Sequence, residues 1–206
     1  MTVVKTFLDK VYDVDGGEET RALYDEWADT YDEEVDANGY ATPARAAAAL
    51  RAHAIDRSAP LLDIGCGTGI SGDALADAGF TTIDGCDFSD EMLKKAEETG
   101  AYRTLFKTDL SLPLQFKDGA YTLISAIGVL NPGHGPAEVL DQILAKLPRG
   151  GLVVFSLNDH AMADGSYEGR LNESLDSGYA TLLFREYGPH LPKIDLNSTV
   201  YVLEKN

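Results

Sequence analysis

A glycine-rich turn follows a short apolar run in the first half of the chain, where residues 61–72 read LLDIGCGTGISG. An apolar run that stops at glycines and passes into an amphipathic segment is typical of a strand, a tight turn and the start of a helix. Glycine allows backbone angles that are closed to residues with a Cβ, and it lets a ligand lie directly against the main chain. The turn therefore predicts binding of a nucleotide-like cofactor.

Two motifs fit this turn, and they favour different cofactors. Gly67, Gly69 and Gly72 have the G-x-G-x-x-G spacing of dinucleotide-binding turns, in which a pyrophosphate lies at a helix N-terminus. The run from Asp63 to Gly69 also reads D-x-G-x-G-x-G, which resembles motif I of the class I S-adenosylmethionine (AdoMet) methyltransferases. Because AdoMet carries an ammonium group and no phosphate, an acid beside the turn favours AdoMet. The alternative is that Asp63 only caps the turn.

An acid follows the turn at the distance typical of ribose-binding carboxylates. Asp87 comes after a predicted strand over 81–86, roughly 20 residues beyond the glycines, where its oxygens could accept from both ribose hydroxyls. The sequence from Asp87 to Leu93 resembles the methyltransferase pattern D-x-S-x-x-M-L, and this resemblance implies that Phe88 and Met92 flank the adenine ring. Their alternative role is core packing, because Met92 recurs with other apolar residues at helical spacing.

Two further segments continue the resemblance in chain order. Asp109 and Leu110 follow a predicted strand over 102–106, and the resemblance implies that they hold the adenine amino group and a ring nitrogen. The apolar run over 120–130 is typical of a strand that is buried on both faces. The end of this strand would pass under the methionine part of AdoMet: Ala126, Ile127 and Gly128.

Taken together, these segments resemble the Rossmann-like domain of class I AdoMet-dependent methyltransferases over residues 20–157. The resemblance implies AdoMet as cofactor and S-adenosylhomocysteine (AdoHcy) as product. Segment 24–32 is similar to that of Williams-Beuren-region-type methyltransferase-like proteins, which implies that it folds over the cofactor. The implied contacts in the turn and in this segment are Asp63, Gly65, Cys66, Gly67, Thr68, Gly69, Tyr24, Trp27 and Tyr31. The three aromatic residues share one helical face, so the alternative is an amphipathic helix packed on the domain.

The elements that position these residues are predicted as an α/β fold. We expect a Rossmann-like, seven-stranded, mostly parallel sheet with an antiparallel last strand, helices on both faces and an N-terminal helical cap. Helices are expected over 41–56, over 70–78, after the capping residue Ser89 and after Pro136.

The C-terminal part is less distinctive. A helix is expected between 160 and 177. The resemblance implies that the last two strands, over 179–187 and 199–204, form the hairpin that completes the class I sheet. A proline-bearing loop over 188–197 is expected to join them.

Composition indicates one domain. The 206 residues suffice for one sizeable core, so we expect a single methyltransferase domain over 1–206, with a helical cap over 1–38 and a Rossmann-like core over 39–206. No apolar run approaches the ~20 residues that span a bilayer, and the start lacks a secretory apolar region, so the expected location is cytoplasmic. Cys66 and Cys86 fit neither a disulfide framework nor a metal-ligand spacing, and both are expected to be reduced.

The charge balance is strongly acidic, with 17 Lys and Arg residues against 34 Asp and Glu residues and a net charge of −17. Such a chain lacks the cationic stripe that neutralises phosphates, so the sequence predicts no nucleic-acid partner and no membrane partner. Residues 131–134, Asn-Pro-Gly-His, also depart from the Asn/Asp-Pro-Pro-Tyr motif used on the amines of bases. The acidic stretch over 25–36 could attract a cationic substrate such as an amine, or it could be a solvated face.

The expected reaction is AdoMet-dependent methyl transfer, by in-line displacement, to an O, N or S atom of a small molecule. His134 and His160 follow predicted strands near the expected substrate site, so each is a candidate general base or an ordinary loop histidine. No carboxylate spacing selects a metal, and none is expected. Two alternatives are an AdoMet- or AdoHcy-binding protein without transferase activity, and a nicotinamide-dependent oxidoreductase that uses the G-x-G-x-x-G spacing.

Overall fold

The computed structural model describes residues 17–206, and all its strands belong to one sheet. The strands are β1 (Leu61–Ile64), β2 (Ile83–Asp87), β3 (Thr104–Lys107), β4 (Leu123–Ala126), β5 (Leu152–Asn158), β6 (Ala180–Leu191) and β7 (Leu196–Lys205). Their order is β3-β2-β1-β4-β5-β7-β6, and only β7 runs antiparallel to its neighbours in the described sheet. The predicted seven-stranded, Rossmann-like fold with an antiparallel last strand is confirmed.

Helices precede and connect these strands. Within residues 17–206 they are α1 (Gly17–Trp27), α2 (Tyr31–Ala37), α3 (Thr42–His53), α4 (Ile70–Asp77), α5 (Asp90–Thr99), α6 (Glu138–Lys146), α7 (Asp159–Asp164) and α8 (Ser166–Asp176). Local signals set their ends: the Ser89 Oγ accepts a hydrogen bond from the Met92 amide at 3.1 Å at the start of α5, and Gly100 closes that helix with φ 72°.

The central strands are buried because helices cover both faces of the sheet. Every residue of β1, β4 and β5 is buried. Leu62 and Ile64 pack with residues of α6 and α8 in one apolar cluster, whereas Leu61 packs with residues of α3 and α4 in a second cluster. The alternation along each strand therefore divides the core into two layers.

The C-terminal hairpin differs from its prediction. Strands β6 and β7 extend through most of the expected loop, and only a 3-10 turn at Pro192–Ile194 separates them. Pro189 is accommodated because β6 is an edge strand, where sheets tolerate proline, and the register shifts between Pro189 and Leu191. The single helix expected between 160 and 177 is two helices, α7 and α8, divided at Gly165 with φ 75°.

The N-terminal part of the predicted cap lies outside the described residues, which begin at 17; α1 and α2 are the described part of it. The division into a cap over 1–38 and a core over 39–206 stays a prediction. No helix in the described range is long and apolar enough to cross a bilayer.

Candidate functional site

A cavity opens where the carboxyl ends of β1, β2 and β4 meet, which is where parallel sheets of this kind bind ligands. Loops after four strands line it, and tyrosines from the N-terminal part of the chain complete the lining. The lining residues are Tyr24, Tyr31, Tyr40, Gly65, Gly67, Asp87, Phe88, Ser89, Met92, Thr108, Asp109, Leu110, Ser111, Ile127, Gly128, Val129, Gly133 and His134.

The glycine turn forms one wall of this cavity. Gly65 and Gly67 both have left-handed backbone angles, with φ 68° and φ 54°. A Cβ added to Gly65 would lie 2.5 Å from the Val129 Cγ2, whereas a Cβ added to Gly67 would meet nothing within 4 Å. Gly65 is therefore required by packing, and Gly67 leaves open space on the side where a ligand could contact the main chain.

Asp87 joins the glycine turn to the loop after β2. One of its oxygens accepts the Gly67 N–H at 2.9 Å and the other accepts the Ser89 N–H at 3.0 Å. Burial raises the pKa of Asp87 from its usual value, and these backbone hydrogen bonds oppose the rise. The carboxylate thus fixes the turn and also faces the cavity, where it can accept further hydrogen bonds.

Asp63 lies beneath the turn and does not line the cavity. Its side chain is fully buried and accepts hydrogen bonds from three hydroxyl groups: Ser71 at 2.6 Å, Ser125 at 2.7 Å and Tyr102 at 2.8 Å. Burial raises the pKa of Asp63, and the three hydrogen bonds oppose the rise. The oxygens of Asp63 therefore bind β4, α4 and the segment before β3, and its predicted role at the AdoMet site stays a prediction.

Removing one of these donors should destabilise the fold. Ser125→Ala leaves a buried carboxylate with one hydrogen bond fewer, and we expect it to lower the free energy of unfolding by about 1–3 kcal/mol. Urea denaturation of the purified protein measures this. Ser58→Ala removes a solvent-exposed hydrogen bond to the Asp56 carboxylate, so it is the matched control for burial and should change the free energy by less than about 0.5 kcal/mol. Equal stability of the two variants would contradict a structural role for Asp63.

The adenine side of the predicted site combines core and cavity residues. Met92 is 1% exposed and borders the cavity with Phe88, so it packs in the core at the edge of the cavity, and its contact with adenine stays a prediction. The Asp109 Oδ1 accepts from the Ser111 amide at 2.9 Å and from its hydroxyl at 2.6 Å. Asp109 therefore starts a loop and lines the cavity as well, beside Leu110.

Two hydrogen bonds fasten the N-terminal helices to the motif residues. Asp25 accepts from the Ser89 hydroxyl at 2.5 Å, and Asp32 accepts from the Thr68 hydroxyl at 2.5 Å. Thr68 thus serves the cap and does not line the cavity. The other predicted contacts outside the cavity lining are Asp63, Cys66, Gly69, Ala126 and Trp27.

A smaller, adjoining chamber lies between the N-terminal helices, the loop after β4 and the carboxyl ends of β5 and β6. It shares Tyr24, Tyr31, Tyr40, Gly128 and His134 with the first cavity. Its other lining residues are Trp27, Val35, Asn131, Asn158, His190 and Leu191. Trp27 is buried there with its ring centroid 4.7 Å from that of Tyr31. The chamber therefore shares part of its wall with the first cavity.

The two candidate bases lie in different surroundings. The His134 Nε2 is 2.6 Å from the Tyr24 hydroxyl at the border of both cavities, and burial lowers the pKa of His134 to about 4. Its ring is therefore neutral at physiological pH and holds a proton weakly. His160 is exposed and lines neither cavity.

Four polar or aromatic residues that line the chamber were not among the predicted site residues. Asn131 and Asn158 follow or end buried strands, and a polar residue at a strand end is a signal that could have found them. Tyr40 and His190 carry no such local signal, because they meet only in the folded chain, with ring centroids 5.1 Å apart.

The residues around the first cavity fit AdoMet. A carboxylate faces it beside a glycine that leaves room at the main chain, which suits a ribose, and Phe88 and Met92 offer apolar surface to a flat base. The family described as "Methyltransferase domain" matches residues 37–194. The chain belongs to this methyltransferase domain family, and its fold is that of the class I AdoMet-dependent enzymes. The predicted resemblance is confirmed.

Two proteins that are similar in sequence to this chain have names that agree with this family. The chain is 31% identical over 158 residues to "Methyltransferase-like protein 27" of Homo sapiens, covering 75% of this chain and 63% of that protein. It is 39% identical over 70 residues to "Probable 18S rRNA (guanine-N(7))-methyltransferase" of Dictyostelium discoideum, covering 34% of this chain and 24% of that protein. The chain thus spans less than two thirds of either relative.

A solved structure shares the fold over nearly the whole chain. It belongs to the complex between the Haloferax volcanii Trm112 methyltransferase activator and a proposed methyltransferase, with a TM-score of 0.69 and 17% identity, covering 90% of this chain and 98% of that chain. The similarity to an rRNA methyltransferase overturns the prediction on partners: the exclusion of nucleic acid from net charge was wrong. Net charge averages over the surface, whereas binding depends on where the charges lie.

Proposed function

We propose that the protein transfers a methyl group from AdoMet to a nucleophile held in the adjoining chamber. The observation that carries the proposal is the pairing of Gly67 with Asp87: the glycine leaves open space at the cavity, and the carboxylate that holds its N–H also faces that space. Asp87 would accept from the ribose hydroxyls, and Phe88 and Met92 would flank the adenine. Membership of the methyltransferase domain family supports the same cofactor.

AdoMet, when bound, supplies an electrophilic methyl group, so the chain mainly has to hold an acceptor in line with it and exclude water. Tyr24, Tyr31 and His134 line both the cavity and the chamber. The N-terminal helices are held there by the hydrogen bonds of Asp25 and Asp32. These residues would order the acceptor and close the site.

The acceptor class has two candidates. A small molecule is supported by the chamber, which is narrow and bordered by buried side chains. An RNA base is supported by the similarity to an rRNA methyltransferase. Incubation of the protein with AdoMet carrying a labelled methyl group, in separate reactions with total RNA and with a small-molecule extract, separates the two by the fraction that becomes labelled.

Binding of the cofactor can be measured before the acceptor is known. Calorimetric titration with AdoMet, AdoHcy and NAD⁺ should give micromolar binding of AdoMet or AdoHcy and none of NAD⁺. Binding of NAD⁺ alone would support the oxidoreductase alternative and overturn the proposal. Binding of AdoMet without labelling of either fraction would favour the alternative of a binding protein without transferase activity.

A further inference from the structure

The first cavity is lined by acidic side chains, and no lysine or arginine is among its described lining residues. Asp87 and Asp109 both line it. Their oxygens accept hydrogen bonds from neutral groups, which are the Gly67 and Ser89 amides for Asp87 and the amide and hydroxyl of Ser111 for Asp109. These hydrogen bonds leave the negative charges uncompensated, so the cavity favours a ligand that carries positive charge.

A third carboxylate lies directly behind the lining. Asp25 accepts from the hydroxyl of the lining residue Ser89 at 2.5 Å. Burial raises the pKa of Asp87, and the charge of Asp25 acts in the same direction. The two carboxylates are thus close enough to repel each other, and a positive charge in the cavity would offset this repulsion.

The wall between cavity and chamber is aromatic and uncharged. This shared wall is formed by the five residues that line both spaces: Tyr24, Tyr31, Tyr40, Gly128 and His134. The ring centroid of Tyr24 is 6.3 Å from that of Tyr31 and 5.3 Å from that of His134. Burial lowers the pKa of His134 to about 4, so its ring is neutral at physiological pH. The shared wall therefore repels no cation, and its tyrosines attract one.

AdoMet and AdoHcy differ at the atom that would face this wall. Both carry the same ammonium and carboxylate groups, but the sulfur is a cationic sulfonium in AdoMet and a neutral thioether in AdoHcy. Transfer to an acceptor in the chamber requires the methyl group to point across the shared wall. The single positive charge that distinguishes the two ligands would then lie between the carboxylates and the tyrosines.

We propose that the cavity distinguishes AdoMet from AdoHcy by this charge, with Tyr31 and the other tyrosines of the shared wall facing the sulfonium, so that the methyl donor binds more tightly than the product. The inference rests on the proposed function. Loss of the charge in the reaction then weakens the hold of the chain on the product and favours its release.

Binding of three ligands to the whole chain tests the inference without turnover. Sinefungin carries a protonated amine where AdoMet carries the methylated sulfur, so it has the positive charge but donates no methyl group. Calorimetric titration should show AdoMet and sinefungin binding at least about fivefold more tightly than AdoHcy. AdoHcy binding as tightly as AdoMet would overturn this inference and leave the proposed function standing. Absence of binding by all three ligands would overturn both.

Two variants of Tyr31 test the aromatic wall. Tyr31→Leu removes the ring and should lower the affinity for AdoMet by about 2- to 30-fold, while the affinity for AdoHcy stays within about twofold of wild type. Tyr31→Phe keeps the ring and should keep the preference for AdoMet. Tyr179→Leu, at an exposed tyrosine that lines neither cavity, is the control and should also keep it. Equal losses for AdoMet and AdoHcy in Tyr31→Leu would mean that the ring only packs the helix.

A substitution on the acidic side keeps the test decisive if Tyr31→Leu does not fold. Asp109→Asn removes one negative charge and keeps an oxygen for the hydrogen bonds from Ser111. It should narrow the preference for AdoMet over AdoHcy by about twofold or more, because only AdoMet carries the additional charge. The AdoHcy affinity of each variant reports whether its cavity is intact. An unchanged preference in Asp109→Asn would contradict discrimination by charge.

Discussion

Gly67→Val is expected to abolish AdoMet binding while the protein stays folded. A Cβ at this position would meet nothing within 4 Å, so a branched side chain has room in the protein and fills the space that the cofactor would occupy. We expect the affinity to fall at least about 100-fold, equivalent to roughly 3 kcal/mol. Calorimetric titration with AdoMet measures the loss.

A second glycine controls for backbone strain. Gly67 has φ 54° and Gly119 has φ 71°, and a Cβ at either position would meet no atom within 4 Å, but Gly119 is exposed and does not line the cavity. Gly119→Val should therefore lower the melting temperature by a similar amount, because valine is strained at a positive φ, and should bind AdoMet normally. Wild-type affinity in Gly67→Val would show that the turn does not contact the cofactor.

The sequence predicted those parts of the site that depend on local backbone. The positive φ of the glycines, the end of β2 at Asp87 and the Ser89 cap all follow from residues close together in the chain. Phe88 and Met92 border the cavity for the same reason, since a short loop fixes them relative to Asp87. Their contacts with AdoMet stay predictions.

Asp63 shows where local reasoning stops. Its place at the end of β1 was predictable, but its surroundings depend on Tyr102 and Ser125, which are 39 and 62 residues away in sequence. Hydroxyl groups of Ser71, Ser125 and Tyr102 hold this carboxylate in the core beneath the turn. The motif predicts an acid at the turn, and only the packing shows which groups bind it.

The chamber could not be predicted, because its groups come from distant parts of the chain. Thr42 and His190 are 148 residues apart, and their hydrogen bond depends on the extension of β6 to Leu191, where the sequence suggested a loop. The prolines that suggested this loop are compatible with an edge strand. The residues that distinguish one acceptor from another are therefore less visible in the sequence than those that bind the cofactor.

Asp87→Ala should weaken AdoMet binding by about 1–3 kcal/mol, or roughly 5- to 100-fold. The substitution removes a charged acceptor for the ribose, and it also leaves the Gly67 and Ser89 N–H groups without their partner. Asp90→Ala removes a nearby exposed carboxylate that pairs with Lys107, and it should leave the affinity unchanged. Unchanged affinity in Asp87→Ala would mean that the ribose lies elsewhere.

The pH dependence of AdoMet affinity tests whether the ionised Asp87 carboxylate holds the ribose. Because burial raises the pKa of this carboxyl above its usual 3.8, acidification protonates it at a higher pH than an exposed aspartate. The ionised form accepts from the ribose, so AdoMet affinity should fall as the pH is lowered through this pKa. Asp87→Asn keeps an oxygen for the turn but does not titrate. Its affinity, lower at neutral pH, should lack this acidic decline, and a decline of equal size in both proteins would assign the titration to another group.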